Sequence, residues 1–393
     1  MQALLECCCG VDVHRDTIEA CILRGPGDEP EIIRSQFKTT REGLLEFVDW
    51  LNEHRCFHIA MESTGVYWRP VYEAIEKHLK SYESLMVVNA RHMKNLPGRK
   101  TDIKDAEWIA TLLRHGLLEA SFVPNRVIRT LREYSRAYKA EVQERARLLN
   151  RMEKFLQSHG FKFSSVFSDI SGASSMNLIY LLAEKGCITE KDIESAVSRH
   201  VKCSIKEIKA AVSGELEVYE CKLLKHILKE LNECEENIKE LLADMMRLAE
   251  PYKSILEKMD SIPGIDIVAA LTILAEIGDK PEENFKTPGH LCSWAGLSPR
   301  NDESAGKIKS KKILHGNPYI KSILCQVAWA AVRSRKTSFA RWFWSHQGKL
   351  GKKKAIIAVA RKILSLIYLL IQRGEMFKET VPVPTPQCCY IAR

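Results

Sequence analysis

The chain has 393 residues, with 59 Lys and Arg against 50 Asp and Glu, and 45% of it is hydrophobic. That length allows two or three domains, and the composition excludes disordered, collagen-like and membrane classes as well as a small binding module. The net charge of +9 is unevenly spread: residues 281–393 hold 20 basic and 6 acidic side chains, which leaves the upstream part at −5. A basic C-terminal third points to a polyanion, nucleic acid first, with a generic solvated basic surface as the plain alternative.

Residues 4–13, 18–24 and 31–37 read as strands. Residues 41–54 form an amphipathic helix with Leu44, Leu45, Phe47, Val48 and Leu51 on its apolar face. A strand over 56–62, a helix over 66–79, a strand over 84–89 and a helix over 102–115 follow. Three strands and then αβαβα predict a mixed sheet flanked by helices. From Pro124 the pattern is helical. Val127, Leu131, Tyr134, Tyr138, Val142, Leu149, Met152 and Leu156 share one stripe of a long helix that stops near Gly160. In a second helix Leu224, Ile227, Leu231, Cys234, Ile238, Leu241, Met245 and Leu248 alternate steps of three and four. Such a seam belongs either to a coiled coil or to a long helix packed inside one domain. The intervening residues 158–215 read as short helices around a serine-rich stretch, 164–175, to which no role attaches.

Beyond Pro251 lie the turn Ser261-Ile-Pro-Gly264, an apolar helix to Ile277, and the segment Trp294-Ala-Gly-Leu-Ser-Pro-Arg300. A basic loop over 301–317 leads to two apolar helices, about 319–333 and 354–373, and the proline-rich tail from about 376 is expected to be loose. The apolar run 363–372 is too short to cross a bilayer and reads as a core helix. The 13 cysteines show neither CxxC nor zinc-type spacing, and the N-terminus has no basic signal-peptide region. These features predict free thiols in a reducing cytoplasm and no membrane partner.

Four acids stand where chemistry is conceivable. Asp12 follows the apolar run of the first strand, Glu62 ends another strand, and Asp102 and Asp105 lie at i and i+3 of a helix start, sharing one face. Carboxylates so placed suit Mg²⁺ or Mn²⁺ and a phosphoryl transfer, although Asp102 also fits a helix-start acid and Asp12 a strand-end turn. Gly264 stands in a turn that opens into a helix, where backbone N–H groups can hold a phosphate; a plain helix–turn–helix joint is the other reading. In the basic loop Ser304 and Ser310 lie among Lys307, Lys309, Lys311 and Lys312, with Gly306 and Gly316 expected to lend flexibility. A serine needs activation to act as a nucleophile, so the residues alone favour a phosphate-binding loop with bystander serines.

The ordered motifs Gly10-Val-Asp12, Met61-Glu-Ser-Thr-Gly65, Lys100-Thr-Asp-Ile-Lys-Asp-Ala106, Ser261-Ile-Pro-Gly264 and Trp294–Arg300, with the serine loop, resemble the DEDD-type insertion-sequence transposases. These are related to Piv-type invertases and described as bridge-RNA-guided recombinases. The resemblance covers most of residues 8–375 and is weakest over 158–215. It implies a RuvC-like, RNase H-type domain over 1–122 with Asp12, Glu62, Asp102 and Asp105 as a metal-binding tetrad. It also implies a helical, coiled-coil section over 123–250 mediating dimer and tetramer contacts, and a transposase domain over 251–375. Ser304 takes the nucleophile's position, with Ser310 as the alternative, because Ser304-Ala-Gly306 stands where relatives often have Ser-Gly. Donor and target DNA, a structured guide RNA and a homo-oligomer, at the bacterial nucleoid, are the implied partners. Gly264, Arg300 and the loop lysines would grip nucleic-acid backbones.

Overall fold

The computed structural model describes residues 3–26, 29–63, 65–89, 105–198, 201–299, 302–304, 307–310 and 312–379. The chain forms two compact units that meet in sequence between Val123 and Pro124. In the first, β1 (Cys7–Val13), β2 (Thr17–Arg24) and β3 (Glu31–Lys38) make an antiparallel meander. After α1 (Arg41–Glu53) comes β4 (His58–Glu62), and after α2 (Trp68–His78) comes β5 (Ser84–Val88). The sheet order is β3-β2-β1-β4-β5, with β1, β4 and β5 mutually parallel. β1 lies at the centre, buried on both faces from Cys8 to Val11, whereas edge strand β3 is exposed at every second residue from Ile32 on, the alternation of a one-sided sheet.

One face of this sheet packs on α1 and α2 through Val11, Ile59, Met61, Phe47, Leu51 and Ile75. The other packs on α3 (Asp105–Arg114) through Cys8, Cys21, Ala60, Val88, Ile109 and Ala110. Residues 4–6 fall outside the strand expected there, because the Leu4 and Leu5 amides donate to the Arg114 carbonyl. The buried Arg114 guanidinium in turn donates to the Glu6 and Gly25 carbonyls at 3.4 and 2.6 Å. The described cysteines are free thiols, and burial pushes the Cys8 thiol up to about 12.

The second unit is helical apart from one hairpin. Its longest helices, α4 (Arg126–Ser158) and α9 (Val218–Leu248), run antiparallel, tied by Arg145–Glu235 and Arg151–Glu230 ion pairs, both 2.8 Å, and by His159–Glu220 at 3.1 Å. The seam of α9 therefore packs within its own chain: Leu231 and Cys234 cluster with Leu148, and Leu224 and Ile227 with Met152 and Leu156. Residues 158–215, read as short helices, are α5 (Phe163–Val166), α6 (Ala173–Lys185), α7 (Glu190–Ala196) and α8 (Ile205–Val212). They cap the tip of the long pair with an aromatic core of Phe161, Phe163 and Phe167.

The remaining helices are α10 (Lys253–Asp260), α11 (Ile267–Ile277), α12 (Pro281–Asn284), α13 (Pro288–Trp294), α14 (Pro318–Arg333), α15 (Ser338–Leu350) and α16 (Lys352–Arg373). Although α16 has the length and hydropathy of a membrane span, it buries one face from Ala355 to Leu370 within this unit, and Tyr368 on it donates to the Phe285 carbonyl at 2.8 Å. The tail docks further than its composition suggests. Phe377 stacks on Phe339, its amide donates to Ser261 Oγ at 3.0 Å, and the Glu379 carboxylate accepts from the Ser338 amide. Residues 380–393 lie outside the described residues.

Candidate active site

In the first unit, strand register determines which acids meet. Gly10 pairs with Ala60 and Val11 with Met61 across the parallel β1–β4 contact, so the next pair along the strands is Asp12 and Glu62. Side chains alternate faces; Cys8 and Ala60 face α3, and so Asp12 and Glu62 project to that same face. α3 reaches it because Gly10 has no side chain: a Cβ there would lie 2.1 Å from the Ala106 carbonyl oxygen and 2.3 Å from the Ala110 nitrogen. Asp105 immediately precedes Ala106 and sits in the helix's first turn with Glu107, where carboxylates are favoured by the macrodipole. The fold thus brings Asp12 and Glu62 to adjacent strand ends and starts α3, with Asp105, over the same face.

Asp102 lies outside the described residues, and among those residues no three His, Cys, Asp or Glu side chains close into a metal-binding cluster. The donor chemistry at the strand ends is nonetheless the hard oxygen set that Mg²⁺ or Mn²⁺ prefers, so the residues present fit such an ion. The Asp12 side chain is only 13% exposed, which makes an uncompensated charge there costly.

Two residues that sequence reasoning passed over stand beside Asp12. His14 Nε2 lies 3.4 Å from Asp12 Oδ2, and Glu19 is Asp12's cross-strand partner on β2. Both were findable from alternation alone: His14 is two residues on, and the β1–β2 turn sets Glu19 opposite. Glu19, Arg34, Gln36 and Ala106 line a cavity of about 280 Å³ on this face, where Arg34 holds Glu107 of α3 in an ion pair.

In the second unit the basic loop is a β-hairpin, not the flexible segment expected. β6 (Asp302–Ser304) and β7 (Lys307–Ser310) pair antiparallel, with Ser304 opposite Lys307 at the tip end and Ser310 opposite Asp302 toward the root. Pro299 and Ile313 form a further bridge. Gly316 has a structural duty in place of the flexibility expected of it. It and Gly296, at φ +56° and +71°, stand back to back, and a Cβ on Gly316 would lie 2.3 Å from the Gly296 nitrogen. Only glycine serves there, on both counts. Lys307 and Lys309 lie on β7, and Lys312 is exposed just beyond it. Arg300, Gly306 and Lys311 lie outside the described residues. Gly264, assigned to phosphate binding, has a packing reason of its own: at φ +91°, a Cβ would lie 2.6 Å from the Ala331 nitrogen on α14.

The hairpin's exit is anchored by an acid that sequence reasoning missed. Glu276, at the end of α11, is fully buried. Arg136 of α4 donates to both its oxygens at 3.0 and 3.1 Å, and Asn317 Nδ2 donates to Oε2 at 2.6 Å. Arg132 adds bonds to the Ala275 and Glu276 carbonyls at 2.9 and 3.0 Å. Asn317 also caps α14, accepting from the Tyr319 and Ile320 amides, and the Arg136 guanidinium covers the Tyr319 ring at 4.2 Å. One buried carboxylate thereby joins the long helix α4, the helix α11 and the residue that follows the hairpin.

Comparison with known proteins covers both units. A transposase family model, the DEDD type of IS110, matches residues 9–161, and the model described as Transposase IS116/IS110/IS902 family matches residues 256–343. The pilin gene-inverting proteins of Moraxella lacunata and Moraxella bovis are 24% and 23% identical over 383 residues, 95% of this chain and 98% of theirs. The transposase for insertion sequence element IS1111A of Coxiella burnetii is 28% identical over 126 residues, 31% of this chain and 34% of its own length.

Proposed function

Because the chain belongs to the IS110 family of transposases, and so to enzymes that cut and rejoin DNA, we propose that it does so through a covalent phosphoserine link on Ser304. The observation that supports this reading is the register of β1 and β4, which sets Asp12 and Glu62 at adjacent strand ends facing the helix that begins at Asp105, in a unit separate in sequence from the serine hairpin. In this reading the first unit is RuvC-like, and Asp12, Glu62, Asp102 and Asp105 hold Mg²⁺ or Mn²⁺. A divalent ion bound there supplies Lewis acidity toward a phosphate oxygen. His14, beside Asp12, orients that carboxylate.

Ser304 Oγ attacks the scissile phosphorus; one P–O bond forms as another breaks, and the serine proton ends on the released sugar hydroxyl. The phosphoserine ester conserves the bond's energy, so a second strand's hydroxyl can reverse the step without an outside energy source. Lys307, Lys309, Lys311, Lys312 and Arg300 neutralise phosphates around the serine, and the backbone amides of Gly264's turn hold a further phosphate. A structured guide RNA pairs with donor and target DNA, which leaves the protein to grip backbones. The chain acts as a dimer or tetramer in which acids from one copy serve the serine of another; the α9 seam from Leu224 to Cys234 packs on α4, so the coiled-coil section makes those contacts through its remaining surface.

Incubating the protein with guide RNA, DNA and Mg²⁺ and then denaturing tests the covalent step. A DNA–protein adduct that disappears in Ser304→Ala is the expected result. Cleavage that survives the substitution, with no adduct in either protein, would show a hydrolytic junction nuclease instead.

A further inference from the structure

From residue 305 to residue 374 the chain carries 16 Lys and Arg and no Asp or Glu. Two of the largest apolar side chains in that stretch are left in solvent: Trp329 on α14 is 41% exposed and Trp344 on α15 is 47% exposed. An indole usually hides its ring surface, so a pair of exposed ones in a basic region calls for an explanation. The two are not scattered. Both pack edge-on against the buried Phe343, with ring centroids 5.8 Å (Trp329) and 5.4 Å (Trp344) from it. Phe343 fixes their positions from beneath, which limits the side-chain entropy a ligand has to overcome.

Cations border each ring. The Arg335 guanidinium stands 5.4 Å from the Trp344 centroid. Helical spacing puts Arg341 one turn before Trp344 and Arg333 one turn after Trp329, and both are exposed. Arg341 also lies 3.6 Å from the Glu379 carboxylate. Half-exposed indoles bordered by guanidinium groups match the chemistry of an unpaired nucleotide: a flat base to stack and a phosphate to neutralise. Paired duplex leaves these rings idle, since its bases are already stacked on one another.

We infer that Trp329 and Trp344, braced by Phe343, form a stacking platform for unpaired bases of the DNA strand being cut and exchanged. Strand exchange requires base pairs to open, and the platform lies on the helices that directly follow the serine hairpin in sequence. It gives an opened strand a place to rest, so that it does not re-pair before rejoining. The inference rests on the chain acting on DNA strands; it does not depend on Ser304 or on a guide RNA.

The test uses the full-length protein and a fluorescent oligonucleotide of about twenty residues, offered as single-stranded DNA, as duplex DNA and as single-stranded RNA, with affinity read by anisotropy. Trp329→Ala and Trp344→Ala each weaken single-stranded DNA binding by about tenfold and leave duplex binding within about twofold. Trp344→Phe, which keeps a ring, retains most of the affinity. Arg335→Gln weakens both DNA forms, as a phosphate contact must. Thermal melts of each variant separate lost stacking from lost folding, and Trp344→Phe remains informative where an alanine variant melts early. Equal losses for single strand and duplex, or unchanged single-strand affinity in both alanine variants, would overturn the platform. So would a loss confined to RNA, or a change in self-association alone. Anisotropy reads stacking without strand cleavage and the adduct assay reads the covalent step, so failure of the covalent step and failure of the platform are read separately.

Discussion

Gly10 and Glu276 are single residues on which whole elements depend. At Gly10 the helix backbone of α3 takes the space of a side chain. Gly10→Ala is expected to lower stability by about 1–3 kcal/mol, the range for overpacking, and to reduce strand cleavage more than DNA binding, because α3 carries Asp105. Melting curves and a cleavage assay on the same preparation check both. Glu276→Ala leaves Arg136 and Asn317 facing a void, and breaking a buried pair costs about 3–5 kcal/mol; a melt that moves by less than a degree would show that the network contributes nothing. These residues differ in how well the sequence announces them. Asp12 and Glu62 were legible because each closes an apolar strand run, where a charge is conspicuous. Glu276 was not, since an acid near a helix end looks like a solvent-facing residue and its partner Arg136 is 140 residues away.

Among elements, the strands and helices of the first unit were legible within a few residues, because period-two and period-3.6 patterns are local. The hairpin was not: its strands have three and four residues with Ile308 as their one apolar side chain, too little for a period-two pattern to stand out, and its root rests on the long-range contact of Gly296 with Gly316. The α9 seam was legible as a seam, but its occupant was not, because heptad spacing is blind to whether the partner helix comes from another chain. Leu231, 1% exposed, therefore tests the intrachain packing. Leu231→Ala should cost about 2–5 kcal/mol while light scattering reports an unaltered oligomer. In the helical cap, Asp192 starts α7 in a capping box with Thr189. The Lys185 ammonium, and after it the Thr189 hydroxyl and amide, hold its carboxyl down at about 2. Its folded value lies below the ordinary one of 3.8, so its stabilising effect is complete above about pH 4 and is lost as pH falls toward 2. Circular dichroism melts across that window should show a fall in the midpoint that Asp192→Asn flattens.

For the molecule as a whole, the +9 total is a sum over parts of opposite character, and the acid-free stretch from 305 to 374 dominates it. Binding by such a surface is driven by counterion release, so duplex affinity should fall linearly on a log–log plot against salt. Changing Lys352, Lys353 and Lys354 to glutamine should make that slope shallower by about 0.9 for each lysine that meets a phosphate. An unaltered slope would place the DNA elsewhere on the surface. The composition made this polarity legible from the start; what it could not foretell is mechanical. With Gly296 and Gly316 pressed backbone to backbone, the hairpin is held at its root like a lever clamped at its fulcrum. Asn317, the next residue, is bolted through Glu276 to α4. The lever's base and that long helix thus share a single carboxylate as their linkage, and Glu276→Ala would uncouple the two.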